Sequence, residues 1–168
     1  MDPKPPVFPP WKPRGDARWL EEILGETVES SPWLLSVAAG HAQRLGPEGP
    51  LAESARTWSR ALCSRNRAWL HALAQAALDR LFDGLREMEP EGESVEDDWR
   101  EVCQLRDDLG SVAVVLNVDG FGHPIDADLA GLDGLGNRIR EGLPRFPWLD
   151  RPRYRRARQY GFAGWWAR

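Results

Sequence analysis

Lysine is nearly missing from this chain: Lys4 and Lys12 stand against twenty arginines. The positive charge is therefore almost wholly guanidinium, a planar fork that grips carboxylates and phosphates and stacks on rings. Two sources fit this bias: recognition of such anions or bases, or a GC-rich genome that favours arginine codons. Cysteine is scarce too. Cys63 and Cys103 are too few for a disulfide framework and match no metal-ligand spacing. One disulfide or two reduced thiols would fit, and reduced thiols of a cytosolic protein are our expectation. Long apolar runs are absent. The longest, around Trp33–Ala39 and Val112–Leu116, fall far short of the roughly 20 apolar residues that span a bilayer. The start, Met1–Pro13, holds no apolar core of signal-peptide length. A soluble, cytoplasmic protein is expected. A net excess of positive charge is also lacking. At −4 the chain as a whole is not a basic nucleic-acid binder.

What is present is ordinary globular material. The chain has 168 residues, 42% apolar and 29% charged, enough to bury a core without disulfides or metal. Nine tryptophans, at 11, 19, 33, 58, 69, 99, 148, 165 and 166, make up much of its aromatic content. Residues 1–15 carry six prolines and read as an extended proline-rich arm. Residues 16–168 read as a single helical domain, with an Arg/Trp-rich C-terminal segment at 143–168.

The longest proline-free stretch follows Pro50 and runs to Met88. Apolar residues recur at Leu51, Ala55, Trp58, Leu62, Trp69, Leu73 and Ala76, and a second stripe follows Leu70, Ala74, Ala77, Leu81 and Leu85. Both are helical spacings, and their width calls for neighbours on more than one side. The polar break from Cys63 to Arg67 predicts two helices here, or one bent at Ser64–Asn66. Asp16 can cap a helix to about Ser30, and Ser31-Pro32 starts another that ends near Gly46-Pro47. Ser94 to Asp97 fits a capping box for a helix ending near Gly110. Ser111–Val118 is rich in β-branched residues and reads as a strand. Asp119-Gly120 supplies a hairpin turn, and Phe121–Ile125 a poor partner strand. Asp126 can cap a last helix, from Ala127 to about Gly142. The fold expected is mainly α: an irregular bundle of five or six helices with one short β-hairpin at about 111–125.

Three places could carry chemistry. The tail interleaves Arg151, Arg153, Arg155, Arg156 and Arg158 with Tyr154, Tyr160, Phe162, Trp165 and Trp166. Guanidinium groups neutralise phosphates and aromatic faces stack on unpaired bases, and the same mixture suits a protein surface or anionic headgroups. The plainer reading is an element packed on the acidic segment Glu87–Asp108, across Trp99. The loop Asp119–Asp128 gathers Asp119, His123, Asp126 and Asp128, groups able to hold a divalent metal or move a proton. Its spacing matches neither a calcium-loop pattern nor a zinc motif, and local roles account for its residues: Asp119 for the turn, His123 next to proline, Asp126 as helix cap. The two thiols and three histidines lie in no catalytic signature, so buried structural cysteines are expected.

The reading that results is a small protein-interaction module, an accessory, adaptor or immunity-type subunit, binding a protein partner or a second copy of itself. The partner or anion surface would use Arg151, Arg153, Arg155, Arg156, Arg158, Tyr160, Trp165 and Trp166. The alternative is single-stranded nucleic-acid binding through that tail. A third reading is a metal-dependent enzyme built on residues 119–128. No catalytic residue, metal or cofactor is assigned, and peripheral membrane contact is not expected.

Overall fold

Proline places two of the helix starts. Pro32 opens α1 (Pro32–Leu45) and Pro50 opens α2 (Pro50–Arg86), each in the first turn, where its missing N–H costs nothing. Two further helices follow, α3 (Val95–Leu116) and α4 (Ile125–Gly142), then single 3-10 turns at Pro147–Asp150 and Trp165–Ala167. The computed structural model describes residues 32–45, 48–88, 95–120, 125–151 and 164–167. Among them the fold is all α, an irregular bundle of four α-helices with no strand. The proline-rich arm at 1–15 and the helix expected at 16–30 lie outside the described residues. No helix among the described residues is long and apolar enough to cross a membrane.

The expected break in the long stretch does not occur. α2 is one helix of 37 residues, about 55 Å at the usual rise. Its polar middle is answered by the end of α3 beside it. Cys63 is buried and its thiol donates to the Val115 carbonyl at 3.1 Å. Arg67 donates to the Leu116 carbonyl at 3.3 Å and pairs with Asp119. A cation on the last carbonyls of a helix satisfies acceptors that have no partner within it. So Arg67 caps α3, and Arg65 is exposed.

The strand expected at Ser111–Val118 is overturned, and of its expected partner Phe121–Ile125 residues 121–124 lie outside the described residues while Ile125 opens α4. Ser111–Leu116 is the last part of α3, which runs straight through Gly110. Leu105, Leu109, Val112 and Leu116 are all buried and keep a helical period across the glycine. That burial outweighs the β preference of Val112, Val114 and Val115. The glycines here mark a crossing of helices. A Cβ on Gly40 of α1 would lie 1.8 Å from the Ser111 carbonyl oxygen, and one on Gly110 would lie 3.3 Å from the Arg44 guanidinium of α1. The helix stops at Asp119-Gly120, where Gly120 takes φ 77° and its N–H bonds to the Asn117 carbonyl at 2.9 Å. The turn pair is a helix stop.

Helices α1, α2 and α3 pack on one another, and α4 packs on α2. Where α1, α2 and α3 meet, the contact is built from Ala38, Ala39, Ala42, Ala55, Cys63 and Val115. Small side chains let the backbones come close. The larger core runs from Trp33 along Leu70, Leu81 and Leu85 of α2 to Trp99, Leu109, Leu132, Trp148 and Trp165. Trp58 and Trp69, half-buried, pack against it. Arg140 closes α4, donating to the carbonyls of Leu143 and Pro144 at 3.1 and 3.0 Å.

Candidate functional site

One face of α3 forms the floor of an open cleft. Arg106, Gly110, Ala113, Val114 and Asn117 recur at helical spacing, and the middle of the run is too small to fill the space above it. α4 provides a wall with Asp126, Leu129, Ala130 and Asp133, again one helical face. Gln43 of α1, Arg56 of α2, Val118 and Trp166 complete a cleft of about 670 Å³. Two polar bridges join α3 to α4 at its ends. At one end Asn117 donates its amide to Asp126 at 2.7 Å. At the other Arg106 meets Asp133 as a fork, Nε to Oδ1 at 2.8 Å and Nη2 to Oδ2 at 2.9 Å. Paired parallel hydrogen bonds of this kind fix orientation as well as adding strength.

The C-terminal turn locks onto that second bridge. The Trp165 indole N–H donates to Asp133 Oδ1 at 2.9 Å. Its ring lies 5.2 Å from that of Trp99, tilted by 56°. A Cβ on Gly136 would come within 2.3 Å of the same ring, so only glycine leaves room for it. Arg106 in turn stacks its guanidinium over Trp166, 3.9 Å from the ring centroid. Trp165 is fully buried and Trp166 nearly so.

A second buried ion pair lies on the same helix. Arg44 of α1 donates from Nη2 to Asp107 Oδ1 at 3.1 Å, and from Nη1 to the Asp107 carbonyl and to Ser111 Oγ at 2.9 and 2.6 Å. Gln104 donates to Asp108 at 2.6 Å within α3. Gln43 donates to Ser59 at 2.8 Å and ties α1 to α2. A smaller hollow of about 480 Å³ lies between Leu78 and Phe82 of α2 and Ala127, Asp128, Gly131 and Leu132 of α4.

The residues singled out in the sequence fall in different places. Trp165 and Trp166 pack in the body, Trp165 against Trp99 of α3. Arg151 is exposed. Arg153, Tyr154, Arg155, Arg156, Arg158, Tyr160 and Phe162 lie outside the described residues. So does His123. Asp119 is paired with Arg67, Asp126 accepts from Asn117, and Asp128 borders the smaller hollow. No group of three His, Cys, Asp or Glu among the described residues is placed to hold a metal. Cys63 and Cys103 are both buried, and neither is in a disulfide. Burial pushes the Cys63 thiol above its ordinary value, against the pull of Arg67 and with some help from Asp119.

Sequence reasoning missed Arg44, Arg106, Asp107 and Asp133. A signal existed for one of them. Arg106 sits seven residues after Trp99, two turns along the same stripe, so a charge there falls on the core face. Comparison with known protein families, with characterised proteins and with solved structures finds no match for this chain.

Proposed function

We propose that the chain is a small protein-interaction module of accessory, adaptor or immunity type, working in the cytoplasm and binding a protein partner at the α3–α4 cleft. One observation carries this reading. The cleft is wide-mouthed, with an apolar floor and wall (Ala113, Val114, Leu129, Ala130) between polar ends. A wide mouth leaves much of a small molecule in water, whereas small ligands are normally held with most of their surface buried. A protein can seat one anchoring side chain in such a cleft and complete the seal with its own rim. The two buried thiols, neither in a disulfide, suit a reducing compartment.

The nucleic-acid alternative rests on the arginines from Arg151 to Arg158 and the rings beside them. It is the weaker reading, because Trp165 and Trp166 are committed to packing and offer no open face for a base. The test uses Ala130, which is exposed and lines the cleft. Ala130→Arg fills the cleft, and an exposed helical site tolerates it within about 0.5 kcal/mol. The full chain as bait in extract of its native host is expected to retain a protein identifiable by mass spectrometry, and Ala130→Arg to lose it. Nucleic acid in the eluate with no retained protein would sink the reading in favour of the alternative.

A further inference from the structure

The C-terminal turn is held the way a ligand is held. Each contact of Trp165 and Trp166 with α3 and α4 is a recognition contact: Trp99 faces the first ring, Gly136 leaves the space for it, Asp133 takes its N–H, and Arg106 stacks on the second ring. The polar part has support besides the turn: Arg106 and Asp133 hold each other as a fork between α3 and α4, so the carboxylate that receives the indole is also held by Arg106. The turn is short, three residues, and the twelve residues 152–163 separate it from Arg151 in the chain. The groove adjoins the cleft through Arg106, Asp133 and Trp166, which line both.

We infer that this groove is a receptor for a partner segment bearing two adjacent aromatic residues, the first an indole. The chain's own Trp165–Trp166 is its built-in competitor. The chemistry is selective: Asp133 reads an N–H on the first ring, which phenylalanine lacks, and Arg106 asks only for a flat face on the second. Tethering gives the chain's own segment a high effective concentration at the groove. A partner therefore gains access only as far as it outcompetes that segment, and the tail sets the threshold for binding. This inference rests on the reading of the chain as a partner-binding module, but its readout is peptide binding at the groove and not partner capture at the cleft.

The probe is a fluorescein-labelled synthetic peptide with the sequence of residues 161–168, added to full-length protein. Wild type is expected to bind it weakly. Trp165→Ala/Trp166→Ala, which empties the groove, is expected to bind it at least about ten-fold more tightly, because the tethered competitor is gone. Adding Gly136→Leu to that variant fills the groove and should abolish binding. The same peptide with both tryptophans replaced by alanine should not bind. If the double variant is folded by circular dichroism and binds no better than wild type, or binds equally well with Gly136→Leu, the inference is overturned. If the double variant does not fold, wild type alone decides. Saturable binding below about 1 mM peptide, with faster hydrogen exchange at residues 164–168, supports the inference, and no saturable binding overturns it. Failure here with partner capture intact would leave the cleft reading standing, and the reverse result would remove only the cleft.

Discussion

The two buried ion pairs of α3 use the same chemistry for different ends. Arg44–Asp107 lies at the α1–α3 crossing, with side chains only 4% and 8% exposed, one turn from the point where Gly40 meets Ser111. Around it the helices touch through alanines. Arg106–Asp133 lies at the tryptophan-rich end, with side chains 10% and 26% exposed, on the border of the cleft. Around it the neighbours are Trp99, Trp165 and Trp166. The first pair joins two helices that come together along their backbones. The second joins two helices that stand apart, and it holds a short segment in the gap. Small side chains give a contact with no room in it. Large flat ones fill a wider gap between helices, and a cleft lies beside them.

The largest expected effect tests the sealed pair. Arg44→Ala leaves Asp107 buried without its cation, and removing one member of a buried pair costs about 3–5 kcal/mol. Urea unfolding should show a large share of the chain's stability gone. Replacing both members, Arg44→Met with Asp107→Leu, should recover much of it, since no charge is then stranded. If the double variant is no better than the single one, the pair is holding the α1–α3 crossing in some way beyond its charges.

Much of the fold could be read ahead because it depends on neighbours in sequence. Pro32 and Pro50 start helices by a local rule, and the leucine stripe of residues 70–85 declares its buried face by spacing alone. The end of α3 could not be read that way. Gly110 and the valines after it carry the local signature of a stop and a strand, and only the guanidinium groups of Arg106 and of Arg44 from α1, packed against Gly110, show what a larger residue there would meet. The site was less legible still. Arg44 and Asp107 are 63 positions apart, and Arg106 and Asp133 are 27 apart. Each pair exists only once the helices have crossed, so its members look like solvated surface charge in the sequence. Trp165 was visible as a possible partner for Trp99, because two large rings and a split of charge between the segments gave a reason to bring them together.

A smaller effect is expected at the open pair. Asp133→Asn keeps the shape but removes the charge that Arg106 faces and weakens the acceptor for Trp165. Hydrogen bonds to charged groups are worth about 1.5–3 kcal/mol, and the partial exposure of Asp133 favours the low end. The loss should come with a red shift of tryptophan emission as Trp165 loosens, a change that Arg44→Met/Asp107→Leu should not produce. A cost equal to that of Arg44→Ala, with no change in emission, would erase the distinction between the two ends.

The smallest effect lies in the response of the sealed end to alkali. Cys63 belongs to the alanine-lined contact, and burial raises its thiol above the ordinary value of 9.0. As pH rises, the thiol of the unfolded chain ionises first, near that value, while the folded chain still holds its proton. The unfolded state then binds fewer protons than the folded one, so stability falls with rising pH. The contribution is whole below the unfolded value and is lost as pH climbs through the folded one. Cys63→Ala removes the titrating group, at the cost of the bond to the Val115 carbonyl and a little volume, about 1 kcal/mol and independent of pH. Urea unfolding of both proteins between about pH 7.5 and about pH 10.5 should therefore give a constant offset at first and converging curves above about pH 9. Curves that stay parallel throughout would mean that water reaches the thiol in the folded chain, and that the alanine contact is less closed than its burial implies.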